Sequence, residues 1–197
     1  MSVDSPITVP TRGAEDTRAV ARALAGQLRA GDLLVLDGPL GAGKTTFTQG
    51  LGDGLGVRGP VASPTFVIAR VHPPVTGELA LVHVDAYRLA GGFDIEDLDL
   101  EADMDEAVTV VEWGRDRVEH LTDSHLLVEL HRAEEHAGAA PEGTDAEDAE
   151  VDLSRAGDEQ RHLRVTAVGP RWDGAEREAL RRALTGAVEP APSQEED

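Results

Sequence analysis

A glycine-rich segment, Gly38-Pro-Leu-Gly-Ala-Gly-Lys-Thr45, separates a short apolar run at residues 33–36 from a helical stretch at 44–55. Glycines allow a backbone to curl with its N–H groups pointing inward, and a helix N-terminus adds positive potential to such a turn. A lysine there reaches the β and γ phosphates of a nucleotide, and the threonine after it supplies a hydroxyl to Mg²⁺. We therefore predict a phosphate-binding loop, built from Gly38, Pro39, Leu40, Gly41, Ala42, Gly43, Lys44, Thr45 and Thr46.

The lysine of this loop stands out in the composition of the chain. Of 18 basic residues, 17 are arginines and Lys44 is the single lysine. A planar guanidinium does not fit a phosphate cradle as a flexible ammonium does, so the one lysine lies where phosphate binding needs it. Common P-loop GTPases read guanine with an Asn-Lys-x-Asp motif, which needs a second lysine. Because this chain has no second lysine, it lacks that motif, which favours an adenine nucleotide, ATP, as the ligand.

The hydrophobic pattern alternates between strands and helices. Short apolar runs, typical of strands buried on both faces, alternate with segments whose apolar residues recur at helical spacing. This alternation predicts an α/β fold of the P-loop NTPase type, with a central, mostly parallel sheet flanked by helices and a C-terminal antiparallel hairpin. The predicted strands are residues 7–10, 33–36, 79–84, 108–111, 125–131 and 162–168. The predicted helices are 14–30, 44–55 and 174–188, the last with Asp173 and Glu176 at capping-box spacing.

Most of the acidic charge lies in two segments. Of a formal net charge of −20, residues 133–160 carry −9, from ten acids and Arg155, and residues 187–197 carry −4. Neither segment has an aromatic residue, and both bury too little apolar surface to offset the entropy of ordering, so we predict disorder in both. We expect a single P-loop ATPase domain at 1–188, interrupted by an acidic insert at 133–160 in an overgrown hairpin loop and followed by a disordered acidic tail at 189–197.

The composition also excludes several classes of protein. Without cysteine, the chain has no disulfide framework, thiolate nucleophile or cysteine-based zinc site. No apolar run approaches the roughly 18 residues of a membrane span, and the N-terminus lacks the pattern of a signal peptide. A net charge of −20 argues against a surface that grips nucleic acid directly. We expect a cytoplasmic protein.

Two acidic residues stand at the ends of apolar strands. Asp85 closes the sequence Leu-Ala-Leu-Val-His-Val-Asp, and Glu112 closes Val-Thr-Val-Val-Glu. Ligands of parallel α/β sheets bind beyond the carboxyl ends of the strands, so both acids are expected to face the phosphate loop. We predict Lys44, Asp85 and Glu112 as catalytic residues and Thr45, Asp85 and Glu112 as Mg²⁺ ligands. One of the two acids is expected also to orient the attacking water, and the sequence leaves open which one does so.

Other residues near these motifs give weaker signals. Thr65, in the loop Ser63-Pro-Thr-Phe66, has the character of a threonine that approaches Mg²⁺ and the γ-phosphate, although a plain turn explains the tetrapeptide about as well. His83 shares a strand face with Asp85 and is interpreted as a structural, hydrogen-bonded histidine. Trp113 is expected to pack at the end of the sheet or to shield the site. Three arginines of adjacent loops are expected on the surface rather than at a phosphate: Arg88, Arg115 and Arg117.

Four motifs, in their order and spacing, resemble the bacterial ATPase family of tRNA threonylcarbamoyladenosine biosynthesis (TsaE, also called YjeE). They are LDGPLGAGKTTFTQGL, SPTFVI, HVDAYRL and VVEWG, and the resemblance covers roughly residues 7–188 without the acidic insert. It implies an ATPase that works with two partner proteins to place a threonylcarbamoyl group on the adenosine beside the anticodon of certain tRNAs. In that family the ATPase supports turnover of the complex and does not itself transfer the group, so its link to tRNA is indirect.

The resemblance also assigns functional residues. The phosphate-loop Lys and Thr, the Asp of the His-x-Asp-x-Tyr-Arg motif and the Glu of Glu-Trp fall here on Lys44, Thr45, Asp85 and Glu112. The chain departs from the family in having Pro39 where Asp is usual, Val84 and Ala86 around the strand Asp, and Gly114 where Pro is frequent. These departures leave the charged functional groups in place.

Two other functions remain open on the sequence. A P-loop small-molecule kinase shares the phosphate loop but needs a mobile lid with arginines, whereas the long insert of this chain is acidic and holds one arginine. A non-catalytic binding module, in which ATP gates the docking of a partner, needs the same loop and no hydrolysis.

Overall fold

The computed structural model describes residues 5–64, 68–87, 104–132 and 161–188. The acidic insert at 133–160, the tail at 189–197, Thr65 and Arg88 lie outside these ranges, so the predictions made for them stay predictions. The strands are β1 (Ile7–Thr11), β2 (Leu33–Asp37), β3 (Ala69–His72), β4 (Ala80–Asp85), β5 (Ala107–Glu112), β6 (His125–Arg132) and β7 (Arg161–Val168). The helices are α1 (Ala14–Ala25), α2 (Lys44–Leu55) and α3 (Ala175–Thr185), with short 3₁₀ turns at Glu119–Leu121 and Pro170–Trp172.

The described strands form one seven-stranded sheet in the order β1-β7-β6-β2-β5-β4-β3. β2 pairs in parallel with β5 and β6, and β4 pairs in parallel with β5. The outer pairs β1/β7, β6/β7 and β3/β4 are antiparallel. The predicted α/β fold, with its mostly parallel centre and its C-terminal antiparallel hairpin, is confirmed. Strand β3 was not predicted, because its two central residues are exposed and it shows no apolar run.

Strand β2 is buried on both faces, as its continuous apolar run predicts. Leu34 and Leu36 belong to the larger core, which they share with residues of all three helices. Leu33 and Val35 belong to a smaller core on the opposite face. The strand that leads into the phosphate loop is therefore held rigidly from two sides.

The helices of the described ranges fall short of what a membrane span requires, since none of them has the length and apolar character to cross a bilayer.

The first helix is shorter than the sequence predicted. α1 ends at Ala25 rather than at residue 30, with Gly26 as its C-cap. After α1 the chain forms a tighter turn with hydrogen bonds between residues three apart. The Gln27 N–H bonds to the Leu24 carbonyl at 2.8 Å, and the Leu28 N–H bonds to the Ala25 carbonyl. Leu28 still packs into the core. The apolar spacing thus continues past the last helical turn, and spacing alone could not locate the end of the helix.

The predicted capping box of the last helix is wrong. α3 has Gly174 as its N-cap and no capping hydrogen bond from a side chain. Asp173 instead ends the preceding 3₁₀ turn in an extended conformation, one residue too early to cap α3. The backbone of Gly174, with φ at 59°, makes the transition between the turn and the helix.

Two glycines allow α1 and α2 to pack closely. A Cβ at Gly50 would lie 2.5 Å from the Arg18 carbonyl oxygen and 2.6 Å from the Arg18 Cα, both backbone atoms of α1. A Cβ at Gly54, one helical turn later, would lie 2.6 Å from the Ala25 Cβ. Gly50 and Gly54 lie on one face of α2, so at these two positions that face has no side chain where it meets α1. This close contact sets the distance at which α2, and with it the phosphate loop, lies from the rest of the helical layer.

Replacing Gly50 with alanine is therefore expected to destabilise the protein by roughly 1–3 kcal/mol, because the added methyl meets backbone that cannot move aside. The matched control is Gly26→Ala, where φ is −68° and the nearest atom to a new Cβ is 3.6 Å away. It should stay within about 1 kcal/mol of wild type. Urea unfolding of both variants measures the difference, and equal stabilities would contradict the close helix contact.

Candidate functional site

The phosphate loop begins where β2 ends at Asp37 and closes into the first turn of α2. Gly38, Gly41 and Gly43 have φ values of 145°, 74° and 106°, which only glycine adopts without strain. Gly38 has a second constraint, since a Cβ there would lie 2.5 Å from the Leu130 carbonyl oxygen of β6. The loop therefore curls as the sequence predicts, and its path depends on the neighbouring strand as well as on its own glycines.

The Lys44 side chain folds back across this loop. Its Nζ donates to the carbonyl oxygens of Gly38 at 2.6 Å and Pro39 at 3.0 Å, and it lies 3.6 Å from the centre of the Trp113 ring. Burial lowers the pKa of Lys44, and the negative charges of Glu112, Asp37 and Asp85 oppose that shift. The direct contacts of the cation are thus neutral carbonyls and an aromatic ring, and a phosphate would offer it a full negative charge instead.

Thr45 links the start of α2 to the end of β5. Its Oγ1 donates to the Glu112 carboxylate, at 3.0 Å from Oε1 and 3.3 Å from Oε2. Glu112 is only 3% exposed, and it also bonds through Oε1 to the Nε2 of His83 at 2.9 Å. The predicted metal ligands Thr45 and Glu112 therefore lie in direct contact, although they are far apart in the sequence.

Asp85 ends β4 directly beside Glu112, its partner in the parallel register. Its carboxylate accepts hydrogen bonds from the Ser63 hydroxyl at 3.1 Å and from the Tyr87 backbone N–H at 3.1 Å. Asp85 is buried, yet it lines the same pocket as Lys44 and Thr45. Adjacent parallel strands that end at the same level bring the two acids together, as the sequence predicted.

These groups surround a pocket of about 430 Å³. Its described lining is Leu40, Gly41, Gly43, Lys44, Thr45, Thr46, Ser63, Asp85, Tyr87, Glu112 and Trp113. Three residues of the predicted nucleotide set do not line it: the carbonyls of Gly38 and Pro39 hold Lys44, and Ala42 is buried in the core. The pocket thus contains the cation, the hydroxyl and both carboxylates that the sequence predicted.

The oxygen atoms of this pocket suit a magnesium ion. Hydroxyl and carboxylate oxygens are the ligands that Mg²⁺ prefers, and Mg²⁺ usually completes its shell with water and substrate phosphates. Among the described residues, no group of three His, Cys, Asp or Glu side chains is placed to hold a metal by itself. Thr45, Asp85 and Glu112 are the residues of this pocket that could hold such an ion together with a phosphate ligand.

Two aromatic residues complete the rim of the pocket. Trp113 follows Glu112 with φ at 62°, a left-handed conformation that is unfavourable for a residue with a side chain, and its N–H bonds to the Leu36 carbonyl at 2.9 Å. Tyr87 lies against it with the ring centres 5.2 Å apart. Trp113 packs against the smaller core, as core packing was the default expectation, and its ring also lies over Lys44.

Two arginines of the neighbouring loop are engaged elsewhere. Arg115 Nη1 bridges Asp37 at 2.9 Å and Glu129 at 3.0 Å, and these hydrogen bonds raise the pKa of its guanidinium. Arg117 donates to the Ala86 carbonyl at 3.2 Å. Neither lines the pocket, in agreement with the expected surface placement. Asp37 also accepts from the Gly38 N–H at 2.9 Å, so Arg115 is tied to the start of the phosphate loop.

The fold and the site together define a class of protein. A buried parallel strand, a glycine-rich turn and a helix that begins with Lys-Thr form the phosphate site of P-loop nucleotide-binding proteins. Two acids, Asp85 and Glu112, end neighbouring strands and line the same pocket. The protein therefore has the fold and site of a P-loop NTPase.

Comparison with known proteins gives the family. The family model described as Threonylcarbamoyl adenosine biosynthesis protein TsaE matches residues 11–140. The chain is 51% identical over 160 residues to a tRNA threonylcarbamoyladenosine biosynthesis protein TsaE from Streptomyces coelicolor, covering 81% of this chain and 95% of that protein. It is 37% identical over 160 residues to the TsaE of Bacillus subtilis, covering 81% and 84%. The chain belongs to the TsaE family, so the resemblance found in the sequence is confirmed.

A solved structure agrees with this assignment. The crystal structure of YdiB from Bacillus subtilis is similar to this chain with a TM-score of 0.63 and 33% sequence identity. The similarity covers 90% of this chain and 95% of that chain. The likeness extends over nearly the whole fold and is not limited to the phosphate loop.

The position of Trp113 generates a prediction. A phosphate ligand should draw the Lys44 ammonium away from the indole ring, so binding of pyrophosphate or ATP is expected to change the tryptophan emission. Trp113→Phe should abolish that change. Trp172→Phe is the matched control, because Trp172 is buried in the core and does not line the pocket. A signal that survives Trp113→Phe would show that the ligand binds elsewhere.

Proposed function

We propose that this protein is a Mg²⁺-dependent ATPase that supports threonylcarbamoylation of the adenosine next to the anticodon in tRNA. It acts in the cytoplasm with two partner proteins that perform the transfer, and it meets tRNA indirectly through their complex. Its single P-loop ATPase domain spans residues 1–188, with the acidic insert and the acidic tail as additions to it. The observation that carries the ATPase proposal is the contact of Thr45 with Glu112 beside Lys44 and Asp85 in one pocket.

Lys44 and the backbone of the phosphate loop bind the phosphates of ATP. Gly41 and Gly43 line the pocket, so at these two positions no side chain stands between the loop backbone and a phosphate. The Lys44 ammonium leaves the Gly38 and Pro39 carbonyls and contacts the β and γ phosphates. Since its present partners are neutral carbonyls and an aromatic ring, this exchange is favoured by the charge of the phosphates.

Thr45, Asp85 and Glu112 would hold the magnesium ion. When bound, Mg²⁺ supplies positive charge that neutralises the phosphate oxygens during phosphoryl transfer. The Thr45 hydroxyl can offer a lone pair on one side while its proton remains bonded to Glu112. Asp85 is anchored by Ser63 and by the Tyr87 backbone, so its carboxylate keeps its place at the end of β4.

One of the two carboxylates also orients the attacking water. Both are buried at the same level of the sheet and line the pocket, which places an acceptor within reach of a water bound there. Glu112 or Asp85 aligns the water and accepts its proton as the water attacks the γ-phosphorus. The bond from that phosphorus to the β–γ bridging oxygen breaks, which releases ADP and inorganic phosphate. Trp113 and Tyr87 cover part of the pocket and limit the access of other water molecules.

The role in tRNA modification rests on the family. The relatives from Streptomyces coelicolor and Bacillus subtilis are both tRNA threonylcarbamoyladenosine biosynthesis proteins. The chain matches 95% of the length of the first, so the likeness extends over a whole protein. The acidic overall charge of −20 fits the indirect contact with tRNA, because the modification partners then hold the nucleic acid.

Lys44→Ala and Glu112→Ala should each reduce ATP turnover by roughly 100-fold or more, because each removes a charged group that acts on the transition state. The controls are Arg182→Ala and Glu178→Ala, which remove the same types of charge from an exposed pair on α3. Both controls should keep normal turnover. The measurement is phosphate release by the full-length protein with its partner proteins present, and normal hydrolysis by either site variant would refute the assignment.

The tRNA role has a separate test. Mass spectrometry of tRNA nucleosides from cells depleted of the protein should show a loss of threonylcarbamoyladenosine, restored by the wild-type chain but not by the Glu112→Ala variant. Intact modification after depletion would refute the role. Restoration by a variant that binds ATP without hydrolysing it would instead identify an ATP-gated binding module.

A further inference from the structure

His83 lies in the interior of the sheet, directly behind the proposed site. It belongs to β4, is completely buried, and shares a sheet face with Asp85 two residues later. In the parallel register it faces Val110 of β5, so Glu112 is its diagonal neighbour on that strand. The Nε2 of His83 lies 2.9 Å from the Glu112 Oε1. The imidazole therefore contacts a catalytic candidate without lining the pocket.

The chemistry of this contact gives its direction. A carboxylate accepts hydrogen bonds, so the 2.9 Å contact assigns the donor role, and with it the proton, to His83 Nε2. The other ring nitrogen, Nδ1, is buried and has no hydrogen-bond partner among the described residues. The bond to Glu112 is thus the one side-chain hydrogen bond that the described structure gives this imidazole.

Two side chains of the described residues donate to the Glu112 carboxylate, one from a neighbouring strand and one from a helix. His83 donates from β4, and Thr45 donates from the first turn of α2. Both reach Oε1, and Thr45 also lies 3.3 Å from Oε2. The Thr45 oxygen is expected to be shared between Glu112 and a bound metal ion, whereas the His83 imidazole, on a central stretch of β4, has Glu112 as its hydrogen-bond partner in the described structure. His83 is therefore the donor whose hydrogen bond fixes the position of the Glu112 carboxylate.

We propose that His83 is a positioning residue for Glu112. By holding Oε1 from behind, it keeps the carboxylate turned toward Thr45 and the pocket through each nucleotide cycle. This inference rests on the proposed ATPase function and adds a residue that does not itself touch the nucleotide. Outer residues that orient a metal ligand or a catalytic base typically contribute 10- to 100-fold to activity when removed.

A second buried histidine provides the comparison with a purely structural role. His72 of β3 is also buried, and its ring centre lies 6.5 Å from that of His83. It makes no contact with Glu112, and its Nε2 has no partner in the described structure. If a buried imidazole in this layer only filled space, replacing His72 and replacing His83 would affect the protein alike.

The test compares three variants of the full-length chain. His83→Leu removes the donor and keeps similar bulk, His83→Gln keeps an uncharged N–H near the position of Nε2, and His72→Leu removes the neighbouring imidazole. His83→Leu should lower kcat by about 10- to 100-fold with little change in KM. His83→Gln should recover most of that loss, and His72→Leu should retain kcat. ATP affinity without metal and the Tm are measured for each variant.

Nitrogen NMR gives a readout that does not depend on hydrolysis. In the wild-type chain the ¹⁵N shift of His83 Nε2 should be that of a protonated nitrogen, with its proton protected from exchange. Glu112→Ala should move or remove that proton signal, because the acceptor is gone. An unprotonated Nε2, or a signal that Glu112→Ala leaves unchanged, would overturn the proposal.

The kinetic outcomes separate this inference from the proposed function. If Glu112→Ala abolishes hydrolysis while His83→Leu turns over normally, the ATPase proposal stands and the role of His83 is refuted. If His83→Gln is as slow as His83→Leu, or if His72→Leu is equally slow, the effect is structural and the inference is also refuted. If wild type and Glu112→Ala are equally inactive, the ATPase function itself fails, and the nitrogen spectrum alone decides whether His83 holds Glu112.

Discussion

The hydrogen bond between Thr45 and Glu112 is the contact on which the arrangement of the site depends. It joins the first turn of α2 to the end of β5, and it forms only if β2 and β5 run parallel and in register, with Leu36 opposite Glu112. A backbone hydrogen bond from the Trp113 N–H to the Leu36 carbonyl also joins the ends of β5 and β2. The turn between β2 and α2 must then have one particular shape, which the positive φ angles of Gly38 and Gly43 allow.

Charge explains why this junction suits a phosphate and a metal together. Three carboxylates, Glu112, Asp37 and Asp85, act on the single ammonium of Lys44, so the site without ligands has an excess of negative charge. Asp37 is neutralised in part by Arg115, which leaves the two strand-end acids as the charge inside the pocket. A polyphosphate alone would be repelled by these acids. When a divalent cation accompanies it, the phosphates meet the ammonium of Lys44 and the cation meets the two carboxylates. These charges support the proposal that a nucleotide and Mg²⁺ bind here together.

The sequence predicted some elements well and others poorly, for identifiable reasons. Asp85 and Glu112 were predicted correctly to end their strands, because buried parallel strands are continuous apolar runs and an acid marks their end. β3 was missed because an exposed edge strand carries no such pattern. The end of α1 was placed too late because Leu28 packs into the core beyond the helix. In each miss, contacts with the rest of the chain decided the structure and the local pattern did not report them.

The sequence by itself determined the phosphate loop, the class of fold and the identity of the charged groups. Glycine spacing, a single lysine and strand-end acids are local features whose chemistry does not depend on distant contacts. Only the tertiary structure decided that His83 holds Glu112 from behind and that Trp113 covers Lys44. A buried histidine and a tryptophan at a strand end have the same local pattern whether they fill space or serve a site. What distinguishes them is which side chain of another strand or helix lies within about 3–4 Å, and that distance is set by the register of β4 on β5 and by the packing of α2.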